Sequence, residues 1–322
     1  MRILTTRAAR LALVGAALLA TGCPQSQTSA PTPPTTPKTA TPEPSGSQRA
    51  GPKPRGQLPK LPTRVVEAGE FIMGSDGSRA GGQDSERPRN RRSLGAFSID
   101  TYEVTNEAYA LFLASPDSSE HVFCHSEEPK GKDHRPIAPT PSERRWGAVT
   151  DPFEGSGRKR HPVVGVDWWD AYSFSAWVGR RLPSEDEWER AARHTDGRTY
   201  PWGEAPIREG PTYRATVYDG RRRTMTTTVG GRPDGRAVCG AHDMSGNAWE
   251  WTASSFLPYV GAPDGGEVRP DLRVLRGGGW NSSSPFLLRA AMRHARPPEY
   301  RSAALGFRTA GSAKSQQPGG SQ

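Results

Sequence analysis

Beyond residue 62, no stretch of this chain keeps one hydrophobic period for more than about a dozen residues. Glycine and proline interrupt it throughout, 36 and 31 of them in 322 residues, which excludes long helices and long strands. A fold built this way has few helices, short strands and much irregular backbone. It needs buried area from another source, and nine tryptophans supply it.

Three helices are still legible. In SIDTYEVTN and after, Thr105 or Asn106 can cap, and Tyr109, Phe112 and Leu113 share a face. Asp167 caps a second helix with Trp168, Ala171, Tyr172 and Ser175 at helical spacing. In the third, PSEDEWERAARH, Ser184 and Glu187 form a capping box after Pro183, and Trp188, Ala191 and Ala192 face the core. Glu185, Asp186, Glu187 and Glu189 crowd together like a catalytic cluster, but capping and the preference of a helix start for acids explain them. RVVEAGEFIMGS reads as a strand, and TASSFL, RVLRGG and LLRAAMRHA as further short ones. From Ser115 to His161 the chain is polar and without period.

The first 62 residues add nothing to a core. Met1 to Cys23 has three arginines, the apolar run LALVGAALLA and then Thr-Gly-Cys, the layout of a secretory signal. The run is too short for a permanent membrane helix. LLATGC resembles a bacterial lipobox, so Cys23 is expected to become a lipidated N-terminus; an ordinary signal peptide is the rival. Pro24, and not Asp, follows the cysteine, so the enterobacterial signal for inner-membrane retention is absent and outer-membrane placement stays open. Residues 24–62 are rich in Pro, Thr and Ser and read as an extended, disordered tether. Residues 311–322 read as a disordered tail, which leaves one domain at 63–310.

The net charge is +9. Its arginine clusters, at 87–92, 158–160 and 221–223, are scattered and not interleaved with aromatics, so a nucleic-acid partner is excluded. A solvated surface favouring anionic lipid or polysaccharide is the expectation. With Cys23 lipidated, Cys124 and Cys239 form an even pair in an oxidising compartment, where a disulfide is expected. His121, Cys124, His125 and His134 stand in HVFCHSEEPKGKDHRP beside Glu127 and Glu128. Such donors can hold iron or zinc, but their spacing matches no closed site, so exposed histidines are expected.

Four motifs occur in a telling order: GEFIMGS, RLPSEDEWERAAR, DMSGNAWEW, and RVLRGGGWNSSSPFLLRAAMRHARPPEYRSAALGFR. Together they resemble the sulfatase-modifying factor family, whose best-known members are formylglycine-generating enzymes. The resemblance implies an α+β fold related to C-type lectins. It also implies structural calcium in the DMSGNAWEW loop, held by Asp243, the carbonyls of Gly246 and Ala248, and Glu250. A second calcium loop of the family is not recognisable at 211–219. Catalytic members bind copper(I) through two cysteines after RGG; the matching positions here are Ser282 and Leu287. Copper(I) is soft and selected by thiolate, so copper is not expected. Trp280, Asn281, Ser282, Ser283 and Ser284 could instead line a polar pocket. Arg276 and Arg308 are candidates to pair with buried carboxylates.

The expectation is therefore an exported, lipid-anchored envelope protein without formylglycine-generating activity. Its role would be binding or structural, with an envelope protein or polysaccharide as partner. The rivals are an iron-dependent oxidase or maturation factor of the wider family, and a true sulfatase activator.

Overall fold

The computed structural model describes residues 52–77, 82–137, 158–204, 226–262, 265–282 and 284–313. The expected signal, Cys23, most of the tether, the 211–219 loop and Ser283 lie outside the described residues. No helix among the described residues is long and apolar enough to cross a membrane.

Among the described residues, nine short strands form three small sheets. β1 (Thr63–Val66) and β9 (Ala310–Ser312) flank β4 (Phe97–Asp100), both antiparallel to it. β2 (Gly69–Met73) and β3 (Asn90–Leu94) make a hairpin. β5 (Trp249–Phe256), β6 (Arg269–Arg276), β7 (His294–Arg296) and β8 (Leu305–Phe307) make the third sheet, in the order β7-β6-β5-β8, with β5 and β8 parallel. RVVEAGEFIMGS thus gives two strands belonging to different sheets, since the chain turns at Glu67–Ala68 between them. LLRAAMRHA is not one strand. It begins in a 3₁₀ turn at Pro285–Leu288, and only His294 onward joins a sheet. The expected tail begins with β9, and Arg55 of the expected tether is docked, its Nε 2.5 Å from Asp117 Oδ1.

The helices form where their caps allow. Thr105 caps α1 (Asn106–Ala114) by accepting the Ala108 N–H. Ser115 caps the short α2 (Pro116–Ser119). Asp167 and Asp170 make a reciprocal capping box on α3 (Trp168–Trp177), and Ser184 and Glu187 make another on α4 (Glu185–Arg193). α1 and α3 pack Tyr109, Phe112, Phe174 and Trp177 against Trp251 and Phe307 of β5 and β8. α4 packs Trp188, Ala191 and Ala192 against Val66, Phe97 and Ile99. Trp177, Trp188 and Trp251 are wholly buried, each removing about 150–250 Å² from water.

The acids of α4 do more than cap. Arg276 is wholly buried and donates to Glu185 and Glu189 at 2.6 and 2.7 Å, to Tyr259, and to the carbonyls of Ala290 and Met292. Arg293 chelates Glu185, and Arg193 pairs with Glu189. Against the effect of burial, Arg276 and Arg193 hold the Glu189 carboxyl below its ordinary value. This network ties α4 to β6 and to the segment that leads into β7.

Candidate functional site

The DMSGNAWEW loop enters β5 through two left-handed residues, Asp243 at φ 58° and Asn247 at φ 63°, a conformation that short polar side chains tolerate best. Its backbone is tied to the RGGG turn: Gly246 N–H donates to Gly277, and the Asn247 carbonyl accepts from Trp280 N–H. Asp243 accepts from Gly230 N–H at 2.6 Å. Glu250 is wholly buried, and Arg308 donates to both its oxygens at 2.7 Å while Trp188 Nε1–H donates at 2.8 Å. Glu250, which the resemblance implied as a calcium ligand, is thus engaged by an arginine and a tryptophan.

Glu103, which the sequence did not single out, completes this cluster. Its carboxylate accepts from the Asn247 side chain at 2.5 Å and from Ala248 N–H at 2.9 Å. Glu103, Asp243 and Glu250 are thus three buried carboxylates acting on one buried guanidinium, Arg308. Burial, then the charges of Asp243 and Glu250, push the Glu103 carboxyl well above its ordinary range, and burial pushes Asp243 up to about 6. An excess of buried carboxylate beside loop carbonyls has the chemistry of a hard-cation site.

The turn after RGG sets Gly278 against the Ser282 hydroxyl and the Leu287 carbonyl. A Cβ built on that glycine would stand 3.1 Å from Ser282 Oγ and 2.7 Å from the Leu287 carbonyl. Ser282 is buried, and its Oγ accepts from Gly279 N–H at 3.0 Å. Among the described residues, the side chains expected to line a hydroxyl-rich pocket are engaged locally or face outward. Trp280 is buried with its Nε1–H on the Ala303 carbonyl, Asn281 is exposed, and Ser284 accepts the Phe286 N–H to cap the 3₁₀ turn. Small hydroxyls beside a glycine turn are held by the nearest backbone N–H groups, a local demand that wins over a pocket.

Cys124 and Cys239 are free, so the expected disulfide is absent. Cys239 packs beside α4 and donates to the Ala191 carbonyl, whereas Cys124 belongs to a different cluster. In that cluster Cys124 Sγ is 3.4 Å from His121 Nδ1 and 3.3 Å from His134 Nε2. Glu128 Oε1 is 3.2 Å from His121 Nδ1 and 3.5 Å from His134 Nε2. His134 is buried, against the expectation of an exposed loop histidine. His125 and Glu127 stand apart from this cluster; the His125 ring packs against Trp168, Trp169 and Tyr172. Burial pushes the Cys124 thiol up to about 12.

Comparison with known proteins places this arrangement. The family model described as a sulfatase-modifying factor enzyme 1-like domain matches residues 48–313. The chain belongs to the sulfatase-modifying factor family. It is 31% identical over 312 residues to a formylglycine-generating enzyme of Streptomyces coelicolor, covering 85% of this chain and 96% of the relative. It is 33% identical over 278 residues to the inactive C-alpha-formylglycine-generating enzyme 2 of Mus musculus, covering 77% and 85%. The structure of PvdO from Pseudomonas aeruginosa aligns with a TM-score of 0.58 at 27% identity, covering 81% of this chain and all of that one. The sulfatase-modifying factor fold, α+β with few helices and short strands, is thus the fold of this chain.

Proposed function

We propose that this chain is a lipid-anchored envelope protein whose sulfatase-modifying factor domain does no thiol oxidation and serves as a binding or structural module. One observation carries the reading. Ser282 already holds the Gly279 N–H, and the side chain of Leu287 is hydrocarbon. Neither is a ligand for copper(I), which takes thiolate. Relatives named active and inactive share about the same identity with this chain, 31% and 33%. Overall similarity therefore favours neither, and the side chains at these two positions decide the proposal. A cleft lined by Lys60, Asp100, Tyr102, Glu103, Thr105 and Arg160 offers mixed charge and an aromatic ring, chemistry suited to a hydroxyl-rich ligand such as polysaccharide.

Copper-loaded chain incubated under oxygen with a cysteine-containing sulfatase peptide should yield no aldehyde product by mass spectrometry. Multiple turnover would return the domain to the oxidases. Conversely, Ser282→Cys combined with Leu287→Cys should create copper(I) binding, since it puts thiols at the two positions that match the family's cysteines.

The anchor rests on the arginine-rich start, the apolar run and LLATGC. Mass spectrometry of the mature N-terminus should find a diacylglyceryl group on Cys23. An unmodified N-terminus at another residue would remove the membrane from the proposal.

The DMSGNAWEW loop fits a structural calcium ion. Asp243 and the carbonyls of Gly246 and Ala248 would hold it, with Glu103 and Glu250 supplying further negative charge. What supports this is the excess of buried carboxylates over Arg308. A bound divalent cation would relieve their repulsion and rigidify the start of β5.

A further inference from the structure

We infer that His121, Cys124, Glu128 and His134 form a zinc site that fixes the loop after α2, backed by Asp170 and Ser173 of helix α3. Their four donor atoms all lie within 4.8 Å of one another. The four separations between neighbouring donors run from 3.2 to 3.5 Å. Zinc bond lengths of about 2.0–2.3 Å place the donors of a tetrahedron about 3.3–3.6 Å apart. Four of the six edges of such a tetrahedron thus stand near their length, and the other two, no longer than 4.8 Å, would close around an ion.

Charge and proton positions agree with that geometry. One thiolate and one carboxylate neutralise Zn²⁺, and the two imidazoles bind as neutral ligands, so a buried site stays balanced. His134 Nδ1 lies 3.0 Å from the buried Asp170 carboxylate. That oxygen accepts, so Nδ1 carries the proton and Nε2 presents a lone pair to Cys124 and Glu128. Without an ion, that lone pair would face another acceptor, Glu128 Oε1, at 3.5 Å. A carboxylate behind a ligating histidine is the usual outer layer of a protein metal site. Asp170 is itself held by Lys132, by Arg301 and by the Asp167 N–H. The Ser173 hydroxyl reaches Glu128 Oε2 at 3.1 Å and Cys124 Sγ at 3.4 Å, fixing two more of the donors. His121 keeps a left-handed backbone at φ 53°, local strain of the kind retained where a side chain must be aimed.

The donor set selects the ion. Thiolate and imidazole prefer zinc to calcium or magnesium, and zinc binding displaces the thiol proton. Four protein ligands close the coordination shell and leave no position for a substrate, so the role is structural. Ligands at 121, 124, 128 and 134 would fix a loop that has only the four-residue α2 before it.

The full chain, purified without chelator, should carry one zinc ion per molecule by elemental analysis. Cys124→Ser and His134→Asn should each lower zinc content by about tenfold or more and leave calcium content unchanged. Cobalt(II) put in place of zinc in the unmutated chain should give tetrahedral d–d absorption with a thiolate charge-transfer band, a signature that depends on no variant folding. Zinc should also shield Cys124 from alkylation until chelator is added. Loss of all zinc on dialysis after exposure to excess metal, or an octahedral cobalt spectrum without the charge-transfer band, would overturn the site. The cluster would then be held by its own hydrogen bonds and those to Asp170 and Ser173.

Discussion

Replacing Arg276 by methionine is expected to cost the fold about 3–5 kcal/mol, the usual consequence of removing one partner from a buried ion pair. Methionine matches much of the side-chain volume, so the loss measures charge and hydrogen bonding more than a cavity. It leaves Glu185 with Arg293 and Glu189 with Arg193, but deprives Tyr259 and the carbonyls of Ala290 and Met292 of their donor. Adding Glu189→Gln to Arg276→Met should recover part of the loss, since it removes the carboxylate left short of a partner. Reversible urea unfolding of both variants measures this. A loss below about 1 kcal/mol, within the range of an exposed pair, would mean that α4 is held to β6 by apolar contacts alone.

Calcium should raise the thermal midpoint of the full chain, by the equivalent of about 2.7 kcal/mol when present at a hundred times its dissociation constant. Asp243→Ala combined with Glu250→Ala should abolish that response. It should also lower the midpoint in chelator, because Arg308 then loses the carboxylate that chelates it. An unmutated chain whose midpoint ignores both calcium and chelator would assign the three carboxylates to Arg308 and the loop backbone only.

What could be read from the sequence is what depends on neighbours within one turn. The helix caps stand where Asp167, Ser184 and Glu187 announced them, because a cap is a local contract between residues three apart. The misreadings depend on distant partners. Glu103 sits 144 residues from Asn247, whose amide it binds, and nothing in TYEVTN marks it. His134 is oriented by Asp170, 36 residues on, so the four-donor cluster could not be recognised from the spacing of HVFCHSEEPKGKDHRP. Parity suggested a disulfide between Cys124 and Cys239, but packing places one thiol among imidazoles and the other beside a helix carbonyl. LLRAAMRHA has the composition of a strand, yet Arg289 is drawn out of any such period by Glu86, which it chelates at 2.7 Å across the fold.

The placement of β9 has a consequence for how the chain becomes this fold. β4 waits between β1, which precedes it by a few dozen residues, and β9, whose Ser312 pairs with Phe97. During synthesis the inner strand of the first sheet is made early and keeps one bare edge until nearly the whole domain has followed. Contacts closed over such distances in sequence are slow to form. An open strand edge held through that wait invites pairing with other chains. The arrival of β9 therefore closes the edge that β4 would otherwise offer to other chains.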